Sequence, residues 1–303
     1  MRILVVGGFG YLGSIISDKL MRLEHEVDIF DLCLFDNSDV VKDLYKSRNP
    51  NIYATITNSF DGAYNLLKEI KYEHVVWCSN VDIEGFYEKF LKHKQQTMDF
   101  FDIIVDHIPM TLCLDYKNND TMTNYMGNKL PSNKKIYIPS LCGPSLRMRW
   151  DTAVNQIVFG FLTEKTVLLG QNWMNKIPIC RVVEMAGVIA DTVNAGKVKD
   201  YEKYVEGYFS ILELAYMIKG ILDSEDALNI HISKLDINEI NEINKNLNPD
   251  LQQGIQILEE TVLNIKEQLT NRALPDFWND KYNNEAVLLP IMQNLGVLEK
   301  LNG

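Results

Sequence analysis

Residues 1–31, MRILVVGGFGYLGSIISDKLMRLEHEVDIFD, decide the fold of this 303-residue chain. The stretch reads as strand, phosphate loop, helix and second strand. Ile3 to Val6 is a short, continuous apolar run, as a parallel strand buried on both faces requires. Gly7, Gly10 and Gly13 follow at the spacing GxxGxxG. The first permits a tight turn, the second lets backbone amides approach a pyrophosphate, and the third lets the helix pack on the strand. Ile15, Ile16, Leu20 and Met21 then recur at helical spacing, so the helix N-terminus, with its unpaired N–H groups and positive dipole end, faces the phosphates. Glu26 to Phe30 alternates polar with apolar residues as a second strand, and Asp31 ends it. A carboxylate about twenty residues past the glycines accepts hydrogen bonds from the adenosine ribose hydroxyls and repels a 2′-phosphate, which favours NAD over NADP. Phe9, Tyr11 and Leu12 between the glycines, and Leu32 beside Asp31, complete this part of the candidate cofactor set.

Composition narrows the class further. A formal net charge of -11 argues against a nucleic-acid partner, whose backbone is met by clustered Lys and Arg. Hydrophobic content of 46% with 23% charged residues is that of an ordinary globular protein. No apolar run approaches the roughly twenty residues of a membrane span, and the N-terminus lacks the regions of a signal peptide, so no membrane partner and a cytoplasmic location are expected. The cysteines, at positions 33, 78, 113, 142 and 180, are far apart and odd in number, with no CxxC pair. They read as reduced, small hydrophobes near strand ends, and no metal site is expected.

Beyond Asp31, a polar connection holds a short predicted helix, Asp39 to Lys46, before a third strand, Ile52 to Ile56. Phe60 to Ile70 is an amphipathic helix, His74 to Cys78 a fourth strand, Phe86 to Val105 a long helix and Met110 to Leu114 a fifth strand. Alternating strands and helices imply a parallel sheet with right-handed crossovers, whose strand ends on the glycine-loop side line the cofactor crevice. Ser79 leaves the fourth strand at that edge and joins the cofactor candidates.

The N-terminal VVGGFGYLGS resembles the extended short-chain dehydrogenase/reductase family, whose members mostly epimerise, dehydrate or reduce nucleotide-activated sugars. The resemblance implies an α/β fold: a Rossmann-type doubly wound parallel sheet in residues 1–165, mainly the NAD-binding domain, with a smaller C-terminal substrate lobe mainly in 166–303. It also implies a catalytic YxxxK on a helix after the fifth strand. Tyr and Lys four apart share one helical face, where the ammonium lowers the phenol pKa towards a general base. Tyr125-Met126-Gly127-Asn128-Lys129 is the match, and Tyr64 to Lys68 repeats the spacing on a plain amphipathic helix. Pro131 and the nearby sixth strand at Tyr137 imply that most of the tyrosine helix is missing. The family's strand-five hydroxyl falls at Leu112 when Tyr116 is matched to the tyrosine after that strand, which leaves Thr111 as the neighbouring candidate and Thr121 and Thr123 as the others.

Lys135 to Pro144, KIYIPSLCGP, resembles the family's sixth strand and YGP turn with Cys142 for the tyrosine. The following Arg147, Arg149, Asp151 and Asn155 resemble the RMRxDxxVN stretch of sugar-nucleotide members. Paired arginines can clamp a diphosphate, so Arg147, Arg149 and Asn155 are the substrate candidates. Cys180 to Ala186 and Tyr201 to Lys219 extend the likeness, with Ser210 and Glu213 as a capping box, and Leu251 to Ile265 is an amphipathic helix. Residues 273–303 carry no interpretable motif. The resemblance implies an NAD-dependent epimerase or dehydratase of a nucleotide sugar, and a homodimer, as family members commonly form. The shortened tyrosine region supports the alternative of a rearranged-site or silent member that binds dinucleotide or sugar nucleotide as a regulatory or structural protein.

Overall fold

The computed structural model describes residues 1–32, 56–79, 88–115, 121–145, 149, 152–170, 173–196, 204–222, 228–232 and 251–271. The elements in chain order are β1 (Arg2–Val6), α1 (Gly13–Arg22), β2 (Glu26–Phe30), β3 (Ile56–Thr57), α2 (Phe60–Glu69), β4 (His74–Trp77), α3 (Glu88–Val105), β5 (Met110–Asp115) and α4 (Thr121–Lys129). After a 3₁₀ turn at Ser132–Lys134 come β6 (Lys135–Ile138), β7 (Ser140–Cys142), α5 (Ala153–Glu164), β8 (Thr166–Leu169), β9 (Lys176–Arg181) and α6 (Val182–Ala195). β10 (Gly207–Ser210), α7 (Ile211–Leu222), β11 (Asn229–Ile232) and α8 (Leu251–Asn271) follow. The chain forms two units: residues 1–139, 145–148 and 182–204, and residues 140–144, 149–181 and 205–303.

In the first unit six strands lie in the order β3-β2-β1-β4-β5-β6, and every neighbouring pair is parallel. The order reverses between β1 and β4, which opens a crevice at their C-terminal ends, where Gly7 and Ser79 leave the sheet. Ile3, Leu4, Val5 and Val6 are all buried, as two covered faces demand. On one face Leu4, Val6, Trp77 and Leu112 pack with Phe100 and Phe101 of α3. The Trp77 and Phe101 rings meet edge to face at 5.1 Å and 90°, the arrangement their quadrupoles favour. Ser59 caps α2 by accepting from the Gly62 N–H at 3.1 Å.

Strand β2 departs from its alternating pattern, because Asp28 points into the protein and is 1% exposed. Its Oδ2 accepts from Arg2 Nε at 3.1 Å and Tyr72 Oη at 3.0 Å. A buried carboxylate is tolerable only with such partners. Burial, then the Asp28 charge, pushes the Tyr72 phenol pKa up.

In the second unit β10 pairs antiparallel with β9, β9 parallel with β7, and β11 parallel with β8. α5, α7 and α8 pack together, with Val158, Phe161, Leu214, Ile218, Leu258 and Val262 buried. This is why α5, expected with the first domain, lies in the second unit. Its apolar face is covered by helices that follow it in sequence. The capping box forms as read: Glu213 N–H donates to Ser210 Oγ at 3.2 Å and Ser210 N–H to Glu213 Oε2 at 2.6 Å. The predicted helix Asp39 to Lys46, the strand residues 52–55 and the segment 273–303 lie outside the described residues. No described helix is long and apolar enough to cross a membrane. Among the described residues no cluster of His, Cys, Asp or Glu is placed to hold a metal ion.

Candidate dinucleotide site

The glycine loop leaves β1 through Gly7, whose φ of +79° lies in the region only glycine enters without strain. Gly7 N–H donates to Phe30 O at 2.8 Å and Gly7 O accepts from Gly10 N–H at 3.0 Å, so the loop folds back over the strand end. Close approach fixes the third glycine. A Cβ on Gly13 would lie 2.1 Å from Gly7 O and 2.9 Å from Gly7 C. A Cβ on Gly10, by contrast, would meet only Gly7 O, at 3.1 Å.

α1 then begins at Gly13 with no side-chain cap and no acidic residue in its first turn. Its positive end therefore carries no built-in anion, and this suits a phosphate. Asp31 closes the other side: its Oδ2 accepts from Phe9 N–H at 2.9 Å, and its own N–H donates to Thr57 O at 3.1 Å. Glycines without room for side chains, a helix start without a carboxylate, and an acid at the end of β2 fit a dinucleotide with unphosphorylated ribose. Phe9 and Tyr11 are buried beneath the loop, Leu12 is the residue at the head of α1, and Leu32 packs against the hydrophobic core beside Asp31. Ser145 holds the loop from behind. Its Oγ donates to Tyr11 O at 2.7 Å and lies 3.1 Å from Ser14 Oγ.

Ser79 stands where expected, against the loop: a Cβ on Gly7 would lie 2.8 Å from Ser79 N. Trp77 Nε1 donates to Ser79 O at 2.9 Å and fixes this exit from β4.

Thr111 is placed elsewhere. It pairs with Val76 in the sheet, two residues into β5 and short of the C-terminal edge. It is 2% exposed, with its Oγ1 2.9 Å from His74 Nε2. The strand-five hydroxyl expected at the crevice is thus a buried partner of His74, because one residue of register moves a side chain to the other face and two move it a full repeat along the strand. Burial, then the Lys134 charge, pushes the His74 pKa down to about 4. The unfolded chain, with His74 near 6.5, binds more protons than the folded one between these values. Stability from this group is therefore complete above about pH 6.5 and falls as pH drops towards 4, by up to roughly 3 kcal/mol. Urea denaturation from pH 4 to 8 should show a decline that flattens in His74→Gln. An undiminished slope in that variant would remove His74 as its source.

The tyrosine region is a single short helix. α4 runs nine residues, Thr121–Lys129. Pro131, at φ -67° and ψ 158°, follows the helix and opens the 3₁₀ turn without interrupting it. Tyr125 and Lys129 do share a face, and that face meets α3. Tyr125 Oη donates to Asp102 Oδ2 at 2.5 Å, and Lys129 Nζ to Asp102 Oδ1 at 2.5 Å and to Tyr125 Oη at 2.6 Å. The Asp102 hydrogen bond, then Tyr125, raises the Lys129 pKa. Asp102 sits one turn from the end of α3 that leads into β5, whereas the glycine loop leaves the opposite end of the strands. Among their hydrogen bonds neither Tyr125 nor Lys129 reaches Thr111 or Ser79. Asp102 carried no signal in the sequence, since its partners lie 23 and 27 positions away.

In the second unit Asn155 is fully buried. Its Oδ1 accepts from Gly143 N–H at 3.0 Å and its Nδ2 donates to Arg149 O at 2.8 Å. Both ends of the amide thus pin the turn before α5, so the expected sugar contact is here an internal staple. Arg149 is exposed. Arg147, Asp151 and Tyr116 lie outside the described residues, as do the side chains of Thr121 and Thr123.

No protein-family model matches the chain, and no curated protein sequence does. Solved structures do match. UDP-glucuronic acid 4-epimerase from Bacillus cereus in complex with NAD superposes with a TM-score of 0.63 at 15% identity, over 90% of this chain and 99% of that one. An NAD-dependent NDP-hexosamine 5,6-dehydratase of tunicamycin biosynthesis gives 0.60 at 14%, over 90% and 99%. UDP-N-acetylglucosamine 4-epimerase from Methanobrevibacter ruminantium M1 gives 0.59 at 16%, over 88% and 98%. Over nearly its whole length, this chain has the fold of NAD-dependent nucleotide-sugar epimerases and dehydratases.

Proposed function

We propose that this protein binds NAD at the glycine loop and acts on a nucleotide-activated sugar, as an epimerase or dehydratase working through transient hydride transfer. The observation that carries the reading is the loop closed between Gly7 and Asp31, with Phe9 N–H on the Asp31 carboxylate. NAD, when bound, supplies the hydride acceptor. Gly7, Gly10 and Gly13 leave the backbone open to the pyrophosphate, Asp31 receives the adenosine ribose hydroxyls, and Ser79 borders the loop at the crevice. Arg149 and Arg147 are the cations for the sugar's diphosphate. Tyr125 and Lys129 are the proton-handling pair by resemblance, and they can serve only if the phenol leaves Asp102.

The preference for NAD is testable at one residue. Asp31→Ala should bring NADPH affinity close to that of NADH, since a carboxylate against a 2′-phosphate is a like-charge contact. Fluorescence titration with both cofactors reads this, and an unchanged preference for NADH would place the discrimination elsewhere.

The hold of Asp102 on Tyr125 and Lys129 favours a second reading, a protein that binds dinucleotide or sugar nucleotide without turning it over. Incubation with UDP-, GDP-, CDP- and dTDP-sugars, followed by chromatography and mass spectrometry, separates the two. An isomer or dehydrated product that disappears in Tyr125→Phe supports the first reading with that tyrosine. Product that survives the substitution means a rearranged site. Bound NAD with no product from any sugar supports the second.

A further inference from the structure

Cys78 is the first residue after β4 and Cys113 lies in β5, on the rung following the Trp77–Leu112 pair. Neighbouring strands run about 4.8 Å apart, inside the Cα separation that a disulfide spans. Both side chains leave the same face of the sheet, and the two sulfurs are 3.9 Å apart, with Cys78 Sγ donating to Cys113 Sγ. Both residues are partly exposed and free. The second unit shows what an unmatched pair looks like. There Leu141 is opposite Cys180 and Cys142 opposite Arg181, and the two thiols are buried.

We propose that Cys78 and Cys113 form a reversible disulfide on exposure to a hydroperoxide, and that closing it disturbs the glycine loop. The effect on cofactor rests on the dinucleotide reading above; the disulfide itself does not. In the first step the Cys113 thiolate attacks the distal oxygen of the hydroperoxide. An S–O bond forms, the O–O bond breaks, and the alkoxide leaves and takes up a proton. In the second step the Cys78 sulfur attacks Cys113, the S–S bond forms, and the S–O bond breaks. Hydroxide departs with the Cys78 proton as water. Two thiols are oxidised by two electrons and one hydroperoxide is reduced to an alcohol and water. The order of attack follows from the hydrogen bond, since Cys78 gives its proton towards Cys113, and this bond with burial raises the Cys78 pKa.

The loop is coupled to the pair through backbone. Cys78 N–H donates to Val6 O at 2.8 Å, and a Cβ on Gly7 would lie 3.0 Å from Cys78 C. Bringing the sulfurs from 3.9 Å to the roughly 2.05 Å of a disulfide draws Cys78 towards β5, and its N–H bond to Val6 O carries that displacement to the residue preceding Gly7.

The test treats the full chain with hydrogen peroxide, blocks remaining thiols with N-ethylmaleimide, and maps the peptides by mass. The expected result is a linked Cys78–Cys113 peptide roughly two mass units lighter than its reduced parts, absent after dithiothreitol and absent in Cys78→Ser and Cys113→Ser. Two alkylated thiols at these positions after oxidation, or linkage of either to a third cysteine, overturn the proposal. Hydrogen exchange of the loop peptide, residues 7–13, reads the coupling without any ligand. Faster exchange after oxidation in the wild-type chain, absent in Cys113→Ser, is expected, and unchanged exchange overturns the coupling. NADH titration of the reduced chain reports separately on the dinucleotide reading, so failure of either is told from failure of the other.

Discussion

Gly13→Ala should weaken dinucleotide binding and lower stability together. The new methyl would stand 2.1 Å from Gly7 O, 2.9 Å from Gly7 C and 3.0 Å from Gly8 Cα, all backbone atoms of the loop that it must preserve. None of these can rotate away as a side-chain tip would. Either α1 lifts from β1 or the loop opens, and each outcome spoils the alignment of loop amides with the helix N-terminus. Overpacking of this kind costs about 1–3 kcal/mol. If that cost falls on the binding-competent conformation alone, NADH affinity drops up to roughly a hundredfold. NADH fluorescence titration with urea denaturation alongside measures both. Gly10→Ala controls for stability alone: its methyl meets a single protein atom, at 3.1 Å, so it should fold nearly as the parent does while still crowding the pyrophosphate. A Gly13→Ala protein that binds NADH as the parent does would sink the assignment of this loop as the cofactor cradle.

Trp77→Ala should be the most damaging core truncation for stability. The indole is fully buried, packs against Phe100 and Phe101 of α3, and donates from Nε1 to Ser79 O. Removing a buried Trp side chain costs about 3–5 kcal/mol, a large share of the 5–15 kcal/mol or so that holds a typical domain together. Trp77→Phe keeps most of the apolar volume but loses the N–H, and should cost about 1 kcal/mol. The two variants therefore separate packing from the hydrogen bond that positions Ser79. Chemical denaturation gives the stability of each. A loss below about 1 kcal/mol in Trp77→Ala would mean that α3 closes over the space.

Both residues lie on segments whose meaning was legible in the sequence. Ile3 to Val6 and the three glycines read as a buried strand followed by a tight glycine turn, because apolar continuity and glycine spacing are local properties of a chain. The capping box at Ser210 and Glu213 was legible for the same reason: its partners are three residues apart and meet as soon as the helix forms.

Residues that act through distant partners were not legible. Tyr125 and Lys129 announced a shared helical face but not what it meets, and Asp102 from α3 occupies it. Thr111 was chosen for its hydroxyl, and the register of β5 against β4 turned that hydroxyl to His74. Asn155 matched a substrate motif, and its burial made it an internal staple. Asp28 of β2 is held inside by Arg2 and Tyr72, 26 and 44 positions away.

The strand–loop–helix start, the α/β class and the acid that closes the loop were thus readable along the chain, since each rests on residues within one or two elements. Which side chains confront one another is settled by packing in three dimensions: Asp102 with Tyr125 and Lys129, Thr111 with His74, and Cys78 with Cys113. Such pairings depend on strand register and helix rotation, and these are fixed by the packing of the whole core, where a shift of one residue turns every side chain of a strand to the opposite face.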